Sequence, residues 1–197
     1  MIVYYCFMRQ RDDNKIEAIY DATIQLVNEI GFAETSISKI AKKANVSAAT
    51  IYIYFENKED MLGKTYLKAK KMMSEKLFHG MDEAAPVREQ FDFFARNFVK
   101  FILNHGDNFM FMEQVTNSPL LQNWCLEETS SLYEPVFRMF ETGKSQKLFK
   151  QEDVNLLIIY SVMPIAQLAK AQIKGEFLFD ERSLQTAIQM SWDAIKI

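Results

Sequence analysis

Two short helical patterns joined by a three-residue corner constrain this chain most. The segment "TSISKIAKKANVSAATIYIYF" runs from Thr35 to Phe55. In its first half Ile37, Ile40, Ala41 and Ala44 share one helical face, with Lys39, Lys42 and Lys43 off it. Ser36 stands where an N-cap belongs, its hydroxyl able to accept from first-turn N–H groups. Asn45 ends the pattern, since Asn tolerates the left-handed backbone better than any residue but Gly. Val46 then turns back to the core, and Ser47 can cap a second helix. Ile51 to Phe55 are all β-branched or aromatic and by intrinsic preference favour a strand. No partner strand pattern lies nearby, and Ala48, Ala49 and Thr50 offer no alternation. The spacing predicts a short helix from about Ala48 to Tyr54, with its strand-forming residues kept for another purpose.

The rest of the chain also reads as helix. Only 4 Pro and 6 Gly interrupt 197 residues, which favours long helices. Ile16, Ile19, Tyr20, Thr23, Val27 and Ile30 mark a helix over 9–30, with Gly31 suited to the left-handed position after it. Asn57 caps a fourth helix, with Asp60 three residues on as a short capping box, and the pattern runs to about Phe78. Further helical patterns cover roughly 87–104, 107–115, 119–143, 153–174 and 182–195. The expectation is an all-α protein of about nine helices without a sheet.

Charge is unevenly spread. The net charge is −3, yet up to Lys76 twelve Lys and Arg stand against ten Asp and Glu, and beyond it eleven against sixteen. A slightly basic front on an acidic body gives a small electrostatic footprint at one end. Cys6 and Cys125 have no metal or redox spacing, so no disulfide framework is expected and the compartment is reducing. "MIVYYCFM" lacks the basic region and cleavage site of a signal peptide. The apolar run from Leu156 to Ala169 is too short for a membrane span. A cytoplasmic protein is expected. His79 and His105 sit at helix ends without an acidic or Cys cluster, so neither a metal site nor a catalytic dyad is expected, and no cofactor.

Helix, tight turn and helix at Ser36–Tyr54 form a helix-turn-helix pattern, whose second helix enters the major groove of DNA. Ala48 and Ala49 are small enough for the backbone to approach DNA. Ser47, Thr50, Tyr52 and Tyr54 bring hydroxyls for phosphates or bases. Lys58, at a helix N-terminus, suits a phosphate. Ile51 and Phe55 anchor the helix from within, and the tyrosines serve the outer face.

The stretch "TSISKIAKKANVSAATIYIYFENKEDML", Thr35 to Leu62, resembles the DNA-binding signature of the tetracycline-repressor (TetR) family. Ile40, Ala41, Ala44, Val46, Ser47, Thr50, Tyr52, Tyr54, Phe55, Lys58 and Leu62 match its pattern. Asn45 and Ala49 stand where Gly is usual, and Lys39 where an acidic residue is common. The resemblance covers about the first third of the chain. It implies a DNA-binding domain at 9–57 that includes Thr35 and Ser36, and a ligand-binding and dimerisation domain at 58–197. It further implies a homodimeric repressor on a palindromic, double-stranded DNA operator, released by a small ligand, and not an enzyme. The alternative is an apolar-metabolite-binding protein or enzyme that does not bind DNA.

Two features bear on the ligand and the dimer. Phe91, Phe94, Phe98 and Phe101 form one helical stripe near Met110 and Met112. The bland reading is ordinary core; the sharper one is the wall of a pocket for a small hydrophobic effector, lined by Phe94, Phe98, Phe101, Met110, Met112 and Trp124. Glu113, with Asn97 and Gln114, is placed to orient the ligand. The segment "DVNLLIIYSVMPIAQLAKAQI" is apolar nearly all round, and the last helix carries two apolar faces. Such two-sided helices suggest a homodimer interface through the last two helices; the alternative is the central core of a monomer, which the resemblance disfavours.

Overall fold

A computed structural model describes residues 2–116, 129 and 131–197, with side chains from Asp13 onward. Among the described residues there are nine α-helices: α1 Ile2–Glu34, α2 Ile37–Lys43, α3 Ala48–Tyr54, α4 Lys58–Phe78, α5 Val87–Asn104, α6 Gly106–Thr116, α7 Glu134–Ser145, α8 Val154–Ile173 and α9 Glu181–Ile195. The only pairing outside helices among these residues is one antiparallel bridge between Phe149 and Lys196. The protein is all-α, as its sequence indicates.

Two helix ends differ from expectation. The backbone of α1 starts earlier and continues past Gly31, where φ 77° and ψ 171° break the helix before one further turn. Thr35 closes that turn by donating its hydroxyl proton to the Gly31 carbonyl at 2.7 Å. The helix expected over 119–143 lies partly outside the described residues. Within them a 3₁₀ turn at Ser131–Tyr133 precedes α7, which begins only at Glu134, with Pro135 in its first turn.

The chain divides into two compact units. Among the described residues one comprises 2–69 and 107–116, the other 70–106, 129 and 131–197, so the division falls within α4. In the first unit Ile19, Ala22 and Leu26 of α1 pack with Ile40, Ala41, Ile51, Phe55 and Met61, all buried. The Tyr20 ring meets Phe55 edge-on at 5.7 Å. The start of α6 is held by Asn28, whose amide donates to the Asp107 carbonyl at 2.9 Å.

In the second unit α8 packs on α5 and α9. Phe91, Phe140, Phe149 and Trp192 form an aromatic cluster, Trp192 lying 5.5 Å from Phe91 and 5.0 Å from Phe149. Gly143 of α7 leaves room for the Phe149 ring, which a Cβ there would strike. The helix α8 is longer than its central apolar run: 20 residues, enough by length and composition to cross a membrane. Val154, Leu157, Val162, Ile165, Ala166 and Ala169 face inward, while Leu156, Ile159, Tyr160 and Met163 are exposed. Pro164 sits inside it and removes the N–H that would bond the Tyr160 carbonyl.

Candidate nucleic-acid interface

The corner between α2 and α3 is built from three local devices. Ser36 caps α2, its hydroxyl accepting from the Lys39 N–H at 3.3 Å. Asn45 adopts φ 55°, the left-handed turn its residue type permits. Ser47 caps α3, accepting from the Thr50 N–H at 3.0 Å, while its hydroxyl and that of Thr50 lie 2.9 Å apart. Ile51 is fully buried and Phe55 nearly so, which fixes the inner face of α3.

The outer face follows from that anchoring. Ala49 is exposed and Ala48 half-buried, so nothing bulky stands at the start of α3. Tyr52 is 58% exposed and Ile53 76%. Ile53 is an exposed apolar residue of α3 that the sequence reading passed over. Its signal was present: two positions from buried Ile51 it lies some 200° round a helix, on the side away from the core. A free aliphatic side chain on a DNA-reading helix suits contact with a thymine methyl.

Three of the expected DNA-binding residues are placed differently. Thr35 is 2% exposed and its hydroxyl donates to the Gly31 carbonyl, so its side chain closes the end of α1 rather than facing outward. Tyr54 is half-buried against the core of the head, 6.4 Å from the Phe55 ring, so only Tyr52 of the two tyrosines turns fully outward. The Lys58 ammonium donates to the Phe32 carbonyl at 2.7 Å and ties α4 to the end of α1. Three other lysines also find local partners. Lys43 pairs with Glu29 at 2.6 Å and Lys68 with Glu17 at 2.5 Å. Lys39 donates to the Glu34 carbonyl at 2.7 Å, which gives this departure from the usual acidic residue a structural use.

The residues expected around an effector are divided between the units. In the second, Phe94 and Phe98 stack in parallel at 6.0 Å, and Phe78 stacks on Phe94 at 6.1 Å. Phe94, Phe98 and Phe101 are all at most 5% exposed. Met110, Met112 and Glu113 belong to the first unit, with Met112 buried and the other two half-buried. Trp124 and Cys125 lie outside the described residues. The two polar neighbours are already engaged: Asn97 donates to the Leu77 carbonyl at 3.2 Å and Gln114 to Asn28 at 3.2 Å. Burial pushes the pKa of the Lys70 ammonium down, and that cation lies 4.6 Å from the Tyr133 ring.

Residues 19–64 match the model of bacterial regulatory proteins of the tetR family, and residues 86–196 match that of the tetracyclin repressor-like C-terminal domain. The second match alone spans more than half of the chain. This protein belongs to the TetR family. It is a transcriptional regulator with a helix-turn-helix DNA-binding domain. A TetR-family transcription regulator from Marinobacter aquaeolei superposes with a TM-score of 0.85 at 28% identity, covering 95% of this chain and 98% of that one. An uncharacterized HTH-type transcriptional regulator of Haemophilus influenzae is 26% identical over 189 residues, 96% of this chain and 100% of its own. The fatty acid metabolism regulator protein of Bacillus subtilis is 36% identical over 76 residues, 39% of either chain. Members of the TetR family are regulators, not enzymes, so the reading of an apolar-metabolite enzyme is set aside.

Proposed function

We propose that this TetR-family regulator is a repressor that binds a palindromic operator as a homodimer and is released by a small apolar effector. In this reading residues 9–57 read DNA, while 58–197 bind the effector and pair the protomers, in the cytoplasm. The observation that carries it is the outer face of α3. The helix is capped at Ser47, clear at Ala49 and exposed at Tyr52 and Ile53. That combination lets backbone and side chains enter a major groove without displacing the core.

Pairing through α8 and α9 is supported by Ile159, Tyr160, Met163 and Met190, exposed apolar residues on two adjacent helices. Two heads joined this way read two half-sites of a palindrome, as two-fold symmetry requires. The aromatic stack of Phe78, Phe94 and Phe98 offers an apolar surface for the effector. The Bacillus subtilis relative makes fatty acids the first compounds to try. An effector releases DNA only by favouring the dimer that does not bind it, since equal affinity for both states shifts nothing.

The test is a mobility-shift titration of the purified protein on the DNA upstream of its own gene. The expected result is a saturable shift at one inverted repeat, weakening steeply as salt rises. Equal affinity for scrambled DNA of the same length would rule out the operator, and loss of the shift with a fatty acid would identify the effector class.

A further inference from the structure

The edge of α5 that faces α9 is charged. Arg88, Asp92 and Arg96 recur there every four residues and share one helical stripe. Asp92 accepts from the Arg96 Nε at 2.9 Å and lies 3.5 Å from an Arg88 nitrogen. Across the seam Arg96 donates through Nη1 to the Glu181 carboxylate at 2.7 Å, and through Nη2 to the Gln185 side-chain carbonyl. Arg88 lies over the Trp192 ring at 4.9 Å. Arg96 thus meets the first two turns of α9 and Arg88 the last, so the two helices run antiparallel along the seam.

Those first turns have little else to hold them. The buried residues of α9 are Ala187, Ile188, Ser191 and Ile195, none of them in its first six positions. Phe179 is buried just before the helix, and Asp180 caps it by accepting from the Ser183 N–H at 2.8 Å. Both fix where α9 starts, and neither fixes how its first turns are rotated. The guanidinium of Arg96 does, because its planar fork meets Asp92 on α5 and both Glu181 and Gln185 on α9 in one geometry. That rotation matters on the far side of the helix. Met190 stands nine residues beyond Glu181, about half a turn away round α9, and is 67% exposed.

We propose that Arg96 is a positioning residue for the dimer: by fixing the rotation of α9 it sets the outward face, carried by Met190, that pairs with a second protomer. This rests on pairing through α8 and α9, and adds the side chain that orients the second of those helices. Arg96 acts from the opposite side of α9, through Glu181 and Gln185. Its ion pair is partly exposed, so salt screens it. Dimerisation is therefore weakened by salt, although the face that pairs is apolar.

The test is sedimentation equilibrium of the full-length protein at low and at high salt. Arg96→Met should weaken the dimer by about tenfold at low salt, since each protomer loses its ion pair, and should remove most of the salt dependence. Arg96→Lys keeps the charge without the fork and should recover part of the loss. Glu181→Gln, at an exposed position, should weaken the dimer by about threefold, and it carries the test where circular dichroism shows that Arg96→Met has lost helicity. An arginine that only stabilises the fold would lower the unfolding temperature of Arg96→Met and leave dimer affinity and its salt dependence unchanged; that result overturns the proposal. So does a wild-type dimer indifferent to salt, an Arg96→Lys variant no better than Arg96→Met, or full affinity in Glu181→Gln. Failure of the pairing itself is distinguishable. A wild-type monomer, or an Ile159→Glu/Met190→Glu variant that stays dimeric, removes the α8 and α9 surface and the role of Arg96 with it. A dimer broken by that double variant but unmoved by Arg96→Met removes the role of Arg96 alone.

Discussion

Ala49 shows how one small side chain can set a binding surface. It is exposed on the first turn of α3, beside the cap made by Ser47. Leucine there adds three carbons on the exposed side that is proposed to approach DNA, away from the core. Ala49→Leu should abolish operator binding while circular dichroism and sedimentation stay as in the wild type; unchanged affinity would remove α3 from the groove. Ile53 permits a subtler reading. If it packs on a thymine methyl, Ile53→Ala should cost about 1 kcal/mol on the preferred operator and less where that thymine is replaced by uracil. Equal losses on both DNAs would show that Ile53 reads no methyl group. Lys58 now carries a structural expectation. Its hydrogen bond to the Phe32 carbonyl is charge-assisted and part-buried, so Lys58→Met should lower unfolding stability by about 1–2 kcal/mol. A variant of unchanged stability, with a salt slope reduced by about 1, would return Lys58 to the phosphate role.

At the scale of the element, the start of α4 shows what a sequence discloses and what it withholds. Asn57 accepts from the Asp60 N–H at 2.7 Å, and Asp60 accepts from the Glu56 N–H at 3.0 Å and from Lys64 at 2.8 Å. Burial pushes the Asp60 pKa up, but the Lys64 and Glu56 hydrogen bonds outweigh it and hold the carboxyl below its ordinary 3.8. A carboxyl with a depressed folded pKa contributes stability above its unfolded pKa, and the contribution fades as pH falls through the folded value. Asp60→Ala should therefore cost about 1 kcal/mol at neutral pH, and its difference from wild type should shrink below pH 3.8. A difference constant down to acid would mean that the charge is not what caps α4. The limits of α3, α4 and α5 were legible because caps and periodicity are local. The burial of Thr35 and Tyr54 and the pairing of Lys58 were not, because each depends on what the fold packs around the residue. A buried threonine bonding to a carbonyl four residues back looks, in sequence, like one facing solvent. Ile53 could have been placed, yet its β-branched type drew attention to strand preference rather than to its position round the helix.

At the scale of the whole molecule, the proposed function makes operator binding depend on dimerisation. A single helix-turn-helix reads one half-site, and joining two makes the second contact intramolecular, which raises avidity by a factor of about 10²–10⁴. The exposed apolar residues of α8 and α9 are the surface available for that join: Ile159 is 54% exposed, Tyr160 63% and Met190 67%. Scattered apolar residues on a surface need no explanation, but these accompany a helix whose opposite side is already committed to the core. A stable interface needs roughly 800 Å² from each partner, more than one helix face provides, so both helices must take part. Glutamate at Ile159 and Met190 would bring two charges from each protomer into a surface that would otherwise exclude water, while both positions are exposed in the free protomer. Ile159→Glu/Met190→Glu should therefore sediment as a folded monomer, with the wild-type far-ultraviolet spectrum. Its operator affinity should fall by about 10²-fold or more, while affinity for an isolated half-site stays unchanged. A double variant that remains dimeric would place the join elsewhere on the molecule. A monomer that keeps full operator affinity would mean that the two heads do not bind the palindrome as a linked pair.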